Sequence, residues 1–284
     1  MTETSENTKA NQVQDGSRSG KKGGVPLSAK EEFSEFFKTA VLAVLLAIIL
    51  RSLLFEPFNI PSGSMKPTLE VGDYLFVYKP SYGYSRYSFP FGLAPIKDRL
   101  WAKEPERGDV VVFKLPTNQS IDYIKRVVAL PGDRVQMKRG RLYINNNIIP
   151  RERVGIVNEE TPHKGMVTMV KYRQVLPNGV SFYIYEEGDN MPLDNTQAFK
   201  VPEGHYFVMG DNRDNSQDSR VQQAVGMVPF DHLVGRADFL FFSIDETASL
   251  FTPWKWPWAV RYERLFTSIG PENTEQKDVK AATP

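Results

Sequence analysis

The stretch Ser120-Ile121-Asp122-Tyr123-Ile124-Lys125-Arg126-Val127-Val128-Ala129-Leu130 alternates its side chains and is rich in β-branched and aromatic residues, so it reads as a strand. A period of two puts Lys125 on the face shared by Ile121, Tyr123, Val127 and Ala129, and sends Asp122 and Arg126 to the other. Working outward, Gly132-Asp133 closes this strand with turn chemistry, and the same dipeptide recurs at Gly72-Asp73, Gly108-Asp109 and Gly210-Asp211. Further short apolar runs lie beside these turns: Tyr74 to Tyr78, Val110 to Phe113, Tyr206 to Met209 and Ala237 to Ile244. Asn178-Gly179 adds a two-residue hairpin signal. The body of the chain is therefore predicted to be mainly β and largely antiparallel. A looser, polar stretch at 136–201 reads as a β subdomain inserted between a first part of the main domain at 57–135 and a second part at 202–271.

The chain before this body has another character. Residues 1–35 are mostly polar and read as a disordered tail, as do residues 272–284 at the other end. Ala40 to Leu50 carries no polar side chain, and Lys38 and Arg51 near its ends have stems long enough to reach an interface. The reading is a transmembrane anchor helix at 36–56; about 20 residues at ~1.5 Å rise span ~30 Å, one hydrocarbon core. Phe55-Glu56-Pro57-Phe58 offers no small-x-small cleavage site, so the anchor is expected to be retained. Lys9, Arg18, Lys21, Lys22, Lys30 and Lys38 precede or open it, which predicts a cytoplasmic tail and a body on the outer face. Phe251 to Trp258 holds three of the four tryptophans, and this aromatic segment is expected to face the bilayer surface.

Composition narrows the chemistry. With 35 Lys plus Arg against 34 Asp plus Glu, the chain has no basic excess of the kind that binds nucleic acid. It has no cysteine, which removes thiol nucleophiles, disulfides and cysteine-bearing zinc sites. Catalysis must rest on hydroxyls, amines, carboxylates or the three histidines, and no metal or cofactor is called for.

Ile60-Pro61-Ser62-Gly63-Ser64-Met65-Lys66-Pro67-Thr68-Leu69, just beyond the anchor, sets Ser64 in a stiff loop suited to a nucleophile; a plain linker is the alternative. His163, His205 and His232 lie in turns or at a strand start, and nothing ties them to Ser64 as a base. Lys125 is the other candidate. From a reference near ~10.4, only about one lysine in 2500 is neutral at pH 7; a fall to ~8 makes it about one in ten, for about 3.3 kcal/mol of differential solvation. The third element is Gly210-Asp211-Asn212-Arg213-Asp214-Asn215-Ser216-Gln217-Asp218-Ser219-Arg220. It is not a calcium loop of the EF-hand kind, because counting from Asp211 the third, sixth and twelfth positions are Arg213, Ser216 and Gln222.

Those three segments, in this order after an anchor, resemble the bacterial type I signal peptidases. The resemblance runs from Phe58 to Arg220 through the Ser62–Leu69 motif, Gly108 to Phe113, Tyr123 to Val128 with Leu130 to Asp133, and the Gly210–Arg220 loop. It implies a signal-peptidase/LexA-like antiparallel β fold and a serine protease that cuts signal peptides from exported preproteins after small-x-small sites. By the same resemblance Ser64 is the nucleophile, Lys125 the general base, and Ser62 with the Ser64 N–H the oxyanion hole. Ser216 would orient the Lys125 amine, while Asp218 with Arg220 and Asp211 with Arg126 would brace the site. Phe58, Ile60, Pro61, Met65, Leu69, Tyr123 and Ile124 would line shallow substrate pockets. Its partners would be preprotein signal peptides and the bilayer of the bacterial inner membrane; the oligomeric state is left open. Lys66 departs from the pattern, standing where an uncharged residue is often found. Two rivals are a LexA-like self-cleaving regulator, which would need a basic DNA-binding segment before the protease part, and an anchored β domain without catalysis.

Overall fold

The computed structural model describes residues 29–89, 92, 94–161, 164–245, 247–248, 252–270 and 272–273. Residues 1–28 of the expected tail, His163, Phe251 and residues 274–284 lie outside them. The chain divides into two compact units, 1–45 and 46–284. A long helix, α1 (Ala29–Leu53), carries the apolar run, with Phe33, Phe36, Phe37, Leu42 and Leu45 to Leu46 all exposed. It begins seven residues before the expected start at 36, because Ala29 to Glu35 is built of good helix formers, with Glu31 and Glu32 at the positive end of the helix dipole. It also ends earlier than 56, since Phe55 already belongs to a strand.

The strands, in order, are β1 (Phe55–Asn59), β2 (Asp73–Tyr78), β3 (Val110–Leu115), β4 (Asn118–Ala129), β5 (Arg134–Lys138), β6 (Arg141–Ile144), β7 (Asn147–Ile148) and β8 (Arg151–Thr161). They continue with β9 (Gly165–Val175), β10 (Val180–Glu186), β11 (Phe199–Lys200), β12 (His205–Met209), β13 (Val228–Pro229), β14 (Leu233–Ser243), β15 (Thr267–Ser268) and β16 (Glu272–Asn273). The main sheet has the order β1-β2-β14-β3-β4-β12-β13, with β15 on β14, and every pairing in it is antiparallel. Residues of the polar stretch form two four-stranded sheets, β11-β5-β6-β7 and β16-β10-β9-β8. Glu272 and Asn273, expected in the C-terminal tail, instead pair with Ser181 and Val180.

Two features of the main sheet position the site. Among the described residues β1 pairs only with β2, which suits the proline it carries at 57, and β12 joins β4 only from Arg126 onward. The edge of β4 from 118 to 125 is therefore open. An irregularity between Phe207 and Val208 also shifts the pairing opposite Val127 and Ala129. Val127 packs with Val111, Phe113 and Tyr123, whereas Val128 and Ala129 both join the core of the polar stretch, with Val135, Leu142, Ile184 and Met209. So Tyr123, whose ring centre lies 5.2 Å from Lys125 Nζ, and Val127 fall in one cluster, Ala129 falls in another, and Ile121 is exposed.

Candidate active site

Ile60 leaves the sheet edge still tied to the start of β2: its N–H donates to the Asp73 carbonyl (2.8 Å) and its carbonyl accepts from Gly72 (2.9 Å). A single 3-10 turn follows at Gly63–Met65, preceded by Ser62 in extended geometry. Met65 and Leu69 are completely buried in a cluster with Ile60, Leu75, Val110 and Val112, and these apolar anchors fix the turn that carries Ser64. Lys125 Nζ lies 2.7 Å from Ser64 Oγ and 2.8 Å from the Ile124 carbonyl oxygen. Lys125 is buried, and burial lowers its pKa to about 8, with Asp218 and Asp211 raising it only in part. Ser62 Oγ is 3.4 Å from Ser64 Oγ.

The 210–220 loop closes over this turn from the other side. Asn212 donates its backbone N–H to the Ser64 carbonyl (3.1 Å) and its side-chain amide to the Gly63 carbonyl (3.2 Å). The approach needs glycine at 210, where a Cβ would lie 2.2 Å from Ser216 Oγ and 2.5 Å from the Ser64 carbonyl oxygen. Arg126 and Asp211 form a bidentate pair in the interior, Nε to Oδ1 at 2.9 Å and Nη2 to Oδ2 at 2.6 Å. Thr68 also donates to Asp211, so this pair links the serine loop, β4 and the 210–220 loop. Asp218 and Arg220 make a second fully buried pair, 2.9 Å at both contacts. Burial alone would push the Asp218 carboxyl up, but Arg220 and the Gly210 N–H outweigh it and hold it below the usual range.

Ser216 differs from expectation. It is buried beside Gly210 and Asp218, and among the described residues it makes no hydrogen bond to Lys125, whose second contact is the Ile124 carbonyl. Among the expected pocket residues, Phe58, Ile60, Met65, Leu69 and Ile124 share one cluster. Tyr123 belongs to a neighbouring cluster with Phe113, because successive residues of β4 face opposite ways, and its ring centre lies 5.2 Å from Lys125 Nζ, while Pro61 is exposed. Lys66 turns away from Lys125 to pair with Glu159 of β8 (2.6 Å) and Glu70 (3.1 Å). His205 and His232 bond backbone carbonyls of Glu203 and Lys114 and do not meet Ser64.

Asn212 was not singled out by the sequence, because one asparagine in a loop dense with polar residues carries no distinguishing signal. The same holds for Arg213, buried behind the loop, which donates to the Gly210 carbonyl (3.2 Å) and to Gln174 of β9.

A family model described as "Signal peptidase, peptidase S26" matches residues 33–242, a span that includes the serine turn, β4 and the 210–220 loop. The chain belongs to this signal peptidase family. Curated relatives named signal peptidase I include that of Rickettsia typhi, 40% identical over 260 residues that cover 85% of this chain and 94% of the relative. The one from Rickettsia prowazekii is 40% identical, with the same two coverages. A crystal structure of a signal peptidase I from Enterococcus faecalis is 26% identical, covers 47% of this chain and 97% of that one, and superposes with a TM-score of 0.27. As a signal peptidase the chain is a hydrolase, a serine endopeptidase.

Proposed function

We propose that this signal peptidase removes signal peptides from preproteins with Ser64 as nucleophile and Lys125 as general base. The observation that carries the reading is the 2.7 Å contact between Ser64 Oγ and a buried lysine amine whose pKa is near 8. At pH 7 about one such lysine in ten is neutral, against about one in 2500 at its ordinary value. The neutral amine takes the Ser64 proton as Oγ attacks the scissile carbonyl, and the resulting ammonium returns it to the departing amine of the mature chain. Water, deprotonated by the same amine, then releases the signal peptide from the acyl-enzyme. Ser62 Oγ and the Ser64 N–H are the candidate donors to the oxyanion, where fixed donors act without reorganisation.

The substrate has a ready place beside the open edges of β1 and of β4 up to residue 125, since an extended peptide binds an exposed strand edge through main-chain hydrogen bonds. Phe58 and Ile124, the partly buried members of the apolar cluster around the serine turn, flank this space, with Ile60, Met65 and Leu69 buried beneath them, and a shallow apolar surface of this kind favours small side chains by excluding bulk. Arg126–Asp211 and Asp218–Arg220 brace the two loops, and Ser216 lies buried between them, its hydroxyl without a hydrogen-bond partner among the described residues.

Anchoring follows from α1, whose 25 residues at ~1.5 Å rise reach ~37 Å, enough for a hydrocarbon core with tilt. Its apolar side chains are exposed all round, as in a helix surrounded by lipid. The lysines and arginines at its N-terminal flank favour a tail on the cytoplasmic side of the bacterial inner membrane and the β body outside. Trp254 and Trp258 are exposed and fit a bilayer surface, while Trp256 packs on Phe242. The reading is tested by incubating a preprotein that carries an Ala-x-Ala site with the wild-type enzyme, Ser64→Ala and Lys125→Ala in detergent. Cleavage after the second alanine by wild type alone is expected; cleavage by folded Ser64→Ala would sink the assignment.

A further inference from the structure

A cavity of about 910 Å³ opens between the C-terminal end of α1, β1, the residues Arg86, Tyr87, Phe89 and Gly92, and the start of β4. Its charged lining is unbalanced: Arg51, Lys79, Arg86 and Lys114 face Glu56 and Asp122. Lys114 and Asp122 pair one to one at 2.8 Å. Glu56 is shared by two cations, Arg51 and Lys79, each at 2.9 Å. Arg86 has no carboxylate partner among the described residues, its guanidinium lying over the Tyr87 ring instead. Two positive charges are thus left over around one cavity, in a chain whose whole sequence nets only +1.

The cavity lies on the substrate's path. Glu56 and Phe58 of β1 line one side, and Gln119, Ser120 and Asp122 of β4 the other, so it sits between the two open strand edges. Asp122 to Gln119 are three to six residues from Lys125, about 10–20 Å at ~3.3 Å per residue of strand. An extended peptide with its scissile carbonyl at Ser64 reaches the cavity with the residues about four to six before the cut. Ile48 and Arg51 at the end of α1 also line it, so the upstream end of the peptide, which emerges from the membrane, enters here.

We propose that this cavity is an upstream subsite that favours acidic and disfavours basic side chains four to six residues before the scissile bond of the preprotein. The inference rests on the substrate path and the anchoring proposed above. Opposite charges attract across a half-enclosed, low-dielectric space, and the effect acts on binding rather than on the chemical step. It therefore appears in KM.

The experiment uses the full chain in neutral detergent and three otherwise identical peptide substrates with Glu, Gln or Lys five residues before an Ala-x-Ala cut. The expected kcat/KM order is Glu over Gln over Lys, with about a tenfold spread between the extremes, carried by KM and shrinking at high salt. Arg86→Glu should collapse or invert that spread; because the readout is a ratio between substrates, partial loss of folded enzyme does not imitate it. Equal kcat/KM for all three peptides with wild type overturns the subsite while leaving the peptidase reading intact. If Arg86→Glu keeps the wild-type spread but loses a stimulation by vesicles of anionic phospholipid, the cavity takes a lipid phosphate and the peptide proposal falls. Failure of wild type to cut any of the three overturns the underlying reading of the active site, and this one with it.

Discussion

Lys125 and Lys79 are buried to nearly the same depth, 3% and 2% exposed, and differ in what their amines touch. Lys79 donates to the Glu56 carboxylate (2.9 Å) and to the Ser88 carbonyl. Lys125 has a hydroxyl and a carbonyl in reach, while its nearest carboxylates, Asp218 and Asp211, are each committed to an arginine. Burial pulls both pKa values down; at Lys79 the touching carboxylate pushes back, whereas at Lys125 the value falls to about 8. Depth alone does not make a basic amine at neutral pH. Withholding a contacting carboxylate does, and the two arginine pairs around the site keep the local carboxylates occupied.

The comparison breaks first at the proposed nucleophile and base: Ser64→Ala and Lys125→Ala should each lower cleavage of an Ala-x-Ala preprotein by at least about a thousandfold, with far-UV circular dichroism unchanged. On the other lysine the loss is of stability. Glu56→Gln strips Lys79 of its carboxylate and should cost about 3–5 kcal/mol in denaturant unfolding, the usual result of leaving a buried charge unpaired. Lys125→Met should act in the opposite direction. A lysine with a folded pKa near 8 and an unfolded value near ~10.4 destabilises the native state fully below pH 8, and this cost fades as pH rises from about 8 to about 10.5. The inactive methionine variant should therefore be about 3 kcal/mol more stable than wild type at pH 7, with the gap closing by pH 10.5. In the wild type, kcat/KM should rise about tenfold per pH unit up to a bend near pH 8 and level off above it, because the proposed base acts as the neutral amine. The smallest effect belongs to the histidines: replacing His163, His205 and His232 together should leave kcat/KM within about threefold, and a large loss in the folded variant would remove Lys125 from the role of base.

Much of this was readable from local patterns. The alternation along 120–130 located β4 and put Lys125 among apolar neighbours, because strand geometry is a property of consecutive residues. The same reading misplaced Ala129, because Val128 is an extra residue on β4 between the pairs Val127–Val208 and Ala129–Phe207, and a bulge that exists only against a strand far away in sequence breaks the alternation with no local signal. Lys79 gave no sign of being buried: Tyr78-Lys79-Pro80-Ser81 reads as a turn, and its partner Glu56 comes from the strand at the sheet edge. Lys66 stood out by its charge next to the serine motif, yet its partner Glu159 comes from the polar stretch, and a long-range ion pair has no sequence signature. Helix ends were the least legible, because polar helix formers extend α1 toward its N-terminus while pairing with β2 cuts it short at the other end.

The place of β14 between β2 and β3 has a consequence for how the enzyme comes into being. Both flanking strands are synthesised long before it, and until Leu233–Ser243 arrives they have no neighbour to join them. Contacts this distant in sequence form late and slowly. Without β14 the turn that carries Ser64 and the strand that carries Lys125 sit on two pieces of sheet joined by side-chain contacts such as Met65 and Leu69 on Val110 and Val112, and by no strand pairing among the described residues. The proposed site is therefore completed late in synthesis, and a chain truncated before β14 should fail to cleave an Ala-x-Ala preprotein that the full chain cuts.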